Sequence, residues 1–310
     1  MNRLIAIIGP TAVGKTKVGI DLADRISTEI ISGDSMLIYR GLDIGTAKPD
    51  ISERRGIIHH LIDIRSANEE FSVVNFQEMA ADLIADINAQ GRIPIIVGGT
   101  GLYVKSLLEG YQFNPVPGND EIRERLTTLA DHHGNDFLHA ILAKKLPDVA
   151  ARLHPNDRRR IIRALEVHLR GDKVSADAKS SNGLVYDTAV IGLTMNRSEL
   201  YSRINQRVDD MISAGLVEEV AVLIKKGIST EAQAMQGIGY KEIALYLNGE
   251  LELPLAIDKI KQATRNFAKR QLTWFRKMPY IHWVDIGDYD NHNEIMAYIY
   301  SYVAGKFNLE

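Results

Sequence analysis

Apolar positions along this chain follow two alternating rhythms. Residues 4–8 (LIAII) form an unbroken apolar run ended by Gly9-Pro10, the mark of a short strand buried on both faces. A helix is predicted from about Lys15 to Ile26. A second run, Glu29 to Ser32, leads into Gly33-Asp34-Ser35. Over 72–90, Val73, Phe76, Met79, Ala80, Leu83, Ile84 and Ile87 recur at spacings of three and four, and Gly91 stops that helix. Ile93 to Val97 then predicts another buried strand, ending in Gly98-Gly99-Thr100-Gly101. Strands alternating with helices imply a mainly parallel α/β sheet flanked by helices, with ligands at the carboxyl ends of its strands.

The texture changes near 114–118. From there to about Arg170 the pattern predicts only helices, roughly 121–130, 136–144 and 156–169. Residues 171–183 read as a loop, and Tyr186 to Leu193 returns to strand character before long amphipathic helices from Ser198 onward. The expected organisation is an α/β core over 1–113 and 186–310, with an all-helical insertion domain at 114–185.

Composition narrows the functional classes. At 310 residues, 45% hydrophobic and 25% charged, the chain is that of an ordinary globular protein. The absence of cysteine excludes disulfides and thiolate metal sites and fits a reducing compartment. No apolar stretch reaches the length of a membrane span, so a cytoplasmic protein away from membranes is expected. A net charge of −3 argues against a uniformly RNA-coated surface but permits local basic faces. His59-His60 and His132-His133 are adjacent pairs, poorly placed to share a metal.

Chemistry enters at Gly9-Pro10-Thr11-Ala12-Val13-Gly14-Lys15-Thr16, which matches G-x-x-x-x-G-K-[ST] between a predicted strand and helix. Backbone amides and the helix N-terminus would face one anion, Lys15 would add a full charge, and Thr16 could ligate Mg²⁺. The motif does not say whose phosphate is held. An ATPase also carries an apolar strand ending in an Mg²⁺-orienting Asp, and the candidates here, Asp63 and Asp285, are poor. Asp34, after the second strand, is either a loop-capping carboxylate or a general base. Gly98 to Gly101 supplies a second turn that a ligand could approach closely.

These segments resemble the bacterial tRNA dimethylallyltransferases. The likeness runs through GPTAVGKT (9–16), DSMLIYRGLDIGTAKP (34–49), HHLIDI (59–64), VGGTGLYVKSLLEG (97–110) and HPNDRRRIIRALEV (154–167). It continues through RVDDMISAGLVEEV (207–220), QGIGYKE (236–242) and FAKRQLTWFRK (267–277). Leu37 stands where Gln is frequent, and Ile58 where Pro often precedes the paired His. The resemblance implies transfer of a dimethylallyl group from its diphosphate to the N6 amine of the adenosine 3′ of the anticodon. It implies Asp34 as base, Thr100 beside the reacting centre, Arg207 as a second diphosphate clamp, and Mg²⁺ on Thr16. It also assigns Ser35, Met36 and Leu37 to the tRNA, as well as Asp34 and Thr100.

A stacked adenine must leave the anticodon loop to react, which calls for basic surface along the anticodon stem-loop. Arg158, Arg159 and Arg160 lie in one cluster with Arg152 and Arg163. Lys269, Arg270 and Arg276 lie in another with Lys259, Lys261, Arg265 and Lys277. For an arbitrary chain both are solvated faces; with the resemblance they become tRNA contacts. Gly237, Gly239, Tyr240 and Lys241 are read as a turn open to the RNA backbone, and Arg123 as a further contact. A monomer is expected. The alternatives are a small-molecule P-loop kinase, an adenylate isopentenyltransferase acting on a free nucleotide, and a nucleotide-dependent switch or RNA-binding ATPase.

Overall fold

A computed structural model describes residues 1–113, 118–172 and 183–309. The chain divides into two compact units, Met1–Glu109 with Gly183–Glu310, and Gly110–Asn182. Both edges thus fall slightly before the expected ones. The Pro-rich residues 114–117 and most of the expected loop at 171–183 lie outside the described residues.

The first unit holds one parallel sheet of β1 (Arg3–Ile8), β2 (Ile30–Ser32), β3 (His59–His60), β4 (Ile95–Gly98), β5 (Asp187–Thr194) and β6 (His282–Asp285). Its order is β3-β2-β4-β1-β5-β6, which puts β1 in the interior, paired with β4 through Ile5↔Ile95 and with β5 through Ile5↔Ala189. Helices α1 (Lys15–Arg25), α2 (Val73–Ala89) and α3 (Gly101–Leu108) come before the second unit. That unit contains α4 (Asp120–His133), α5 (Asn135–Lys145), α6 (Pro147–Ala150) and α7 (Arg158–Leu169). After it come α8 (Arg197–Ser213), α9 (Leu216–Lys225), α10 (Tyr240–Leu247), α11 (Leu253–Phe275) and α12 (His292–Phe307).

The unbroken apolar strands follow from a sheet covered on both faces. Successive residues point to opposite faces, so β1 feeds two cores. Leu4, Ala6 and Ile8 join Ile31, Ile96 and Val190 beneath Phe76, Tyr103, Val220, Tyr240 and Phe275. Ile5 and Ile7 join Ile30, Ile95 and Ile191 beneath Val18, Leu22, Ile204 and Val303. The helical unit has its own core of Leu126, Leu138, Leu142, Ile161 and Leu165. No helix among the described residues is long and apolar enough to cross a membrane.

Local chemistry explains where the expected elements shift. Ile93-Pro94 drops out of β4 because proline has no N–H to give the ladder; its carbonyl still accepts from Ile5 N at 3.0 Å. The strand near 60 stops after two residues, since Leu61 and Asp63 have positive φ, 60° and 57°.

Candidate active site

The phosphate loop is shaped by what crowds it. Gly9 has φ +147°, and a Cβ there would meet the Leu193 carbonyl oxygen at 2.5 Å, so β5 closes that side. Gly14 caps α1 at φ 100°, and Ala12 takes φ 65° despite its side chain. No side chain caps α1 and no acid lies in its first turn, which leaves its leading amides to an anion. The Lys15 ammonium donates to the Pro10 carbonyl at 2.6 Å.

Three expected residues converge here. Burial lowers Lys15 to about 8; the Asp34 carboxylate opposes that fall and the Arg207 guanidinium adds to it. A lysine from α1, a carboxylate after β2 and an arginine from α8 therefore share one electrostatic neighbourhood. Arg207 is half-buried, and desolvation lowers it against the pull of Glu53 and Asp210. The neighbouring-acid ion pair that would make it ordinary surface is missing among the described residues.

Thr100 lies beside the same loop. Its Oγ1 accepts from Ser35 N at 3.1 Å and donates to Ser35 Oγ at 3.3 Å. Asp34 Oδ1 accepts from Met36 N at 2.8 Å, which fixes the turn from Asp34 through Leu37. The turns after β2 and β4 touch through glycine, for a Cβ on Gly98 would meet the Gly33 carbonyl oxygen at 2.3 Å.

The segment after Asp34 is held by a group that pattern did not single out. The Glu219 carboxylate on α9 accepts from three consecutive amides, Asp43 at 3.0 Å, Ile44 at 2.8 Å and Gly45 at 3.2 Å. It also accepts from the Tyr240 hydroxyl at 2.6 Å. Burial, with Glu219 beside it, pushes the Tyr240 phenol far up.

Gly237, Gly239 and Tyr240, expected as a turn open to the RNA backbone, are packed against the protein's own side chains. Tyr240 is fully buried, and its ring sits where a Cβ on Gly45 would be. Gly237 is filled by Met36, whose Cε lies 2.6 Å from the place of a Cβ. The glycines admit the protein's own side chains. Lys241 alone of the four residues named there has an exposed side chain.

The basic residues separate in the same way. Arg123 pairs with buried Glu166 at 3.0 Å and with Asp120 at 3.6 Å, so it ties α4 to α7. Arg158 donates to the Thr127 carbonyl at 2.7 Å and pairs with Asp131. Arg160 pairs loosely with Asp157 at 3.4 Å, while Arg159 is exposed without an ion pair among the described residues. On α11, Lys261 pairs with Asp209 and Arg265 donates to Asn205. Lys269 and Arg270 on the same helix, and Arg276 just after its end, are exposed.

Thr16 stands exposed in the first turn of α1, its hydroxyl without a protein partner among the described residues. No cluster of three or more His, Asp or Glu able to hold a metal occurs among those residues. One hydroxyl beside a diphosphate fits Mg²⁺, which takes few protein ligands and fills its shell with substrate phosphates and water. The strands flanking β1 end in Gly98 and Thr194, neither of them acidic. Asp63 is engaged by Lys48, and Asp285 accepts from the Gly287 amide on the edge strand. Neither stands where a P-loop hydrolase needs its carboxylate.

Comparisons with known proteins extend over nearly the whole chain. The family model of the IPP transferases matches residues 37–278. A tRNA dimethylallyltransferase of Geobacillus thermodenitrificans is 49% identical over 311 residues, covering 100% of this chain and 98% of its own. The full-length tRNA isopentenylpyrophosphate transferase of Bacillus halodurans has a TM-score of 0.76 at 44% identity, covering 99% of this chain and 97% of its own. A eukaryotic dimethylallyltransferase caught acting on tRNA has a TM-score of 0.78 at 29% identity, covering 98% and 80%.

Proposed function

The chain belongs to the IPP transferase family and is a tRNA dimethylallyltransferase, and we propose that its site works by gripping a leaving diphosphate. The uncapped, acid-free N-terminus of α1 behind Gly9 to Thr16, with Lys15 in its first turn, carries this reading. The donor is dimethylallyl diphosphate, held by Gly9 to Thr16. Lys15, Arg207 and the leading amides of α1 take up the charge that develops on the leaving oxygens, the stage at which such groups accelerate reaction most. Mg²⁺ on Thr16, when bound, neutralises diphosphate charge.

The acceptor is the N6 amine of the adenosine 3′ of the anticodon. The bond from allylic C1 to the bridging oxygen breaks, nitrogen bonds to C1, pyrophosphate leaves, and the amine proton passes to Asp34. Thr100 orients the Ser35 turn beside that carboxylate, and Ser35, Met36 and Leu37 line the acceptor side. Exposed Arg159 and Arg160 in the helical unit, and exposed Lys241, Lys269, Arg270 and Arg276 in the α/β unit, each offer cations to the stem-loop. Arg123 and Arg158 serve that surface by holding α4 and α7 in place. A monomer is proposed, and the substrate fits a cytoplasmic enzyme.

Incubating the protein with radiolabelled dimethylallyl diphosphate, Mg²⁺ and either unmodified tRNA, AMP or ATP tests the reading. Label is expected in tRNA. Label in AMP, or ATP turnover alone, would overturn it. The acid-free ends of the strands flanking β1 weigh against the kinase and switch alternatives.

A further inference from the structure

A single buried amide joins the two halves of this site. Gln271 lies on the inner face of α11, between Ala268 and Phe275, and is 5% exposed. Its Oε1 accepts from the Thr11 amide of the phosphate loop at 2.8 Å. Its Nε2 donates to the Gly99 carbonyl at 2.9 Å. A Cβ on Gly99 would meet Nε2 at 2.3 Å, so the close approach depends on glycine there. Thr100, the next residue, carries the two hydrogen bonds to Ser35. A continuous path thus runs from Thr11 through Gln271, Gly99 and Thr100 to the turn that bears Asp34.

We infer that Gln271 is a positioning residue that fixes the spacing between the donor's diphosphate and the acceptor-side turn. The inference rests on the reading in which Gly9 to Thr16 hold the donor and Asp34 and Thr100 face the acceptor. Only a primary amide of this length offers an acceptor and a donor at the required separation. Asparagine is too short, glutamate lacks the donor, and methionine lacks both. The Thr11 amide is already committed to Gln271, so the side chain acts through loop geometry and not as a phosphate ligand. Misplacement of reacting groups by about 1 Å costs on the order of 100-fold in rate while leaving each partner bound. Lys269 and Arg270 precede Gln271 on the same helix, which places this brace directly behind the exposed cations.

The test compares Gln271→Met and Gln271→Glu with the parent. Three quantities are read: single-turnover transfer at saturating donor and tRNA, the Kd of each substrate, and the melting temperature. We expect Gln271→Met to transfer about 10–100-fold more slowly, with both Kd values within about threefold of the parent. A buried carboxyl near a diphosphate resists ionisation, and its protonated form can again donate to Gly99 while accepting from Thr11. The transfer rate of Gln271→Glu relative to the parent should therefore rise as pH falls from about 8 to about 6, whereas that of Gln271→Met stays flat. A parent-like rate in Gln271→Met, or a loss lying wholly in weaker binding, overturns the inference. Should Gln271→Met fail to fold, a flat ratio for Gln271→Glu overturns it. A parent protein that transfers no label to tRNA would instead sink the functional reading itself.

Discussion

Asp34 combines the duties of a loop carboxylate with the base role proposed for it. One oxygen caps its own turn through Met36 N, and the same side chain contributes to the electrostatics of Lys15. On the proposed mechanism, Asp34→Ala removes the proton acceptor and leaves Lys15, Arg207 and the α1 amides in place. Turnover should drop by about 10²–10⁴-fold, the usual contribution of a positioned base, while donor affinity stays within a few-fold. Steady-state kinetics alongside equilibrium donor binding would check this, and unchanged turnover removes Asp34 from the role. Pattern alone left Asp34 open between a loop cap and a general base, and only the resemblance favoured the base, because a lone Asp after a strand has an ordinary structural explanation. Glu219 and Gln271 were silent for a different reason. Their partners are backbone amides and carbonyls far away in sequence, which no local pattern encodes. Gln271 did leave one trace, a polar residue on the helical face shared by Ala268 and Phe275.

At the scale of elements, α11 has two faces with different work. Its inner face holds Gln271 and packs Trp274 against Gly101, where a Cβ would meet the indole Cδ1 at 2.3 Å. Its outer face presents Lys269 and Arg270. Neutralising both should weaken tRNA binding and lower the slope of log K against log salt by about 1–2, about one for each lost phosphate contact. Binding titrations at several salt concentrations measure it, and an unaltered slope puts that face outside the interface. In the helical unit, Glu166 is fully buried among Arg163, Arg123 and the Asn119 amide. Burial raises this carboxyl, yet the Arg163 and Asn119 hydrogen bonds and the charge of Arg123 outweigh it and hold it below the ordinary 4.5. A depressed carboxyl stabilises the fold above pH about 4.5, and that contribution fades as pH falls through the folded value. Glu166→Gln should accordingly cost about 1–3 kcal/mol near neutral pH, an estimate moderated by the half-exposed arginines. The penalty should shrink in acid, as urea titration at pH about 7 and about 3 would reveal. Helical periodicity marked α4, α5 and α7 in the sequence. The inward turn of Arg123 toward Glu166 was illegible there, because charge runs do not reveal which members are internally paired.

For the molecule as a whole, chain order matters as much as final geometry. β1 sits between β4 and β5, and the helical unit intervenes in sequence between those two neighbours. Alternating runs made the parallel sheet readable, but strand order is a long-range property, and the late β6 and α12 gave no distinct signal. Gly9 is closed off by Leu193, and Thr11 is held by Gln271. A fragment ending at residue 186 should therefore bind no donor in equilibrium dialysis despite carrying every residue of the phosphate motif; donor binding at parent affinity would refute this dependence. On the ribosome the consequence is temporal. At roughly 5–20 residues per second, Leu193 is made about 10–40 s after Gly9. During that interval the helical unit, with a core of its own, can fold, while the nascent phosphate motif stands without its buttress. A stalled or prematurely released chain would thus carry the complete phosphate motif without the contacts that shape it.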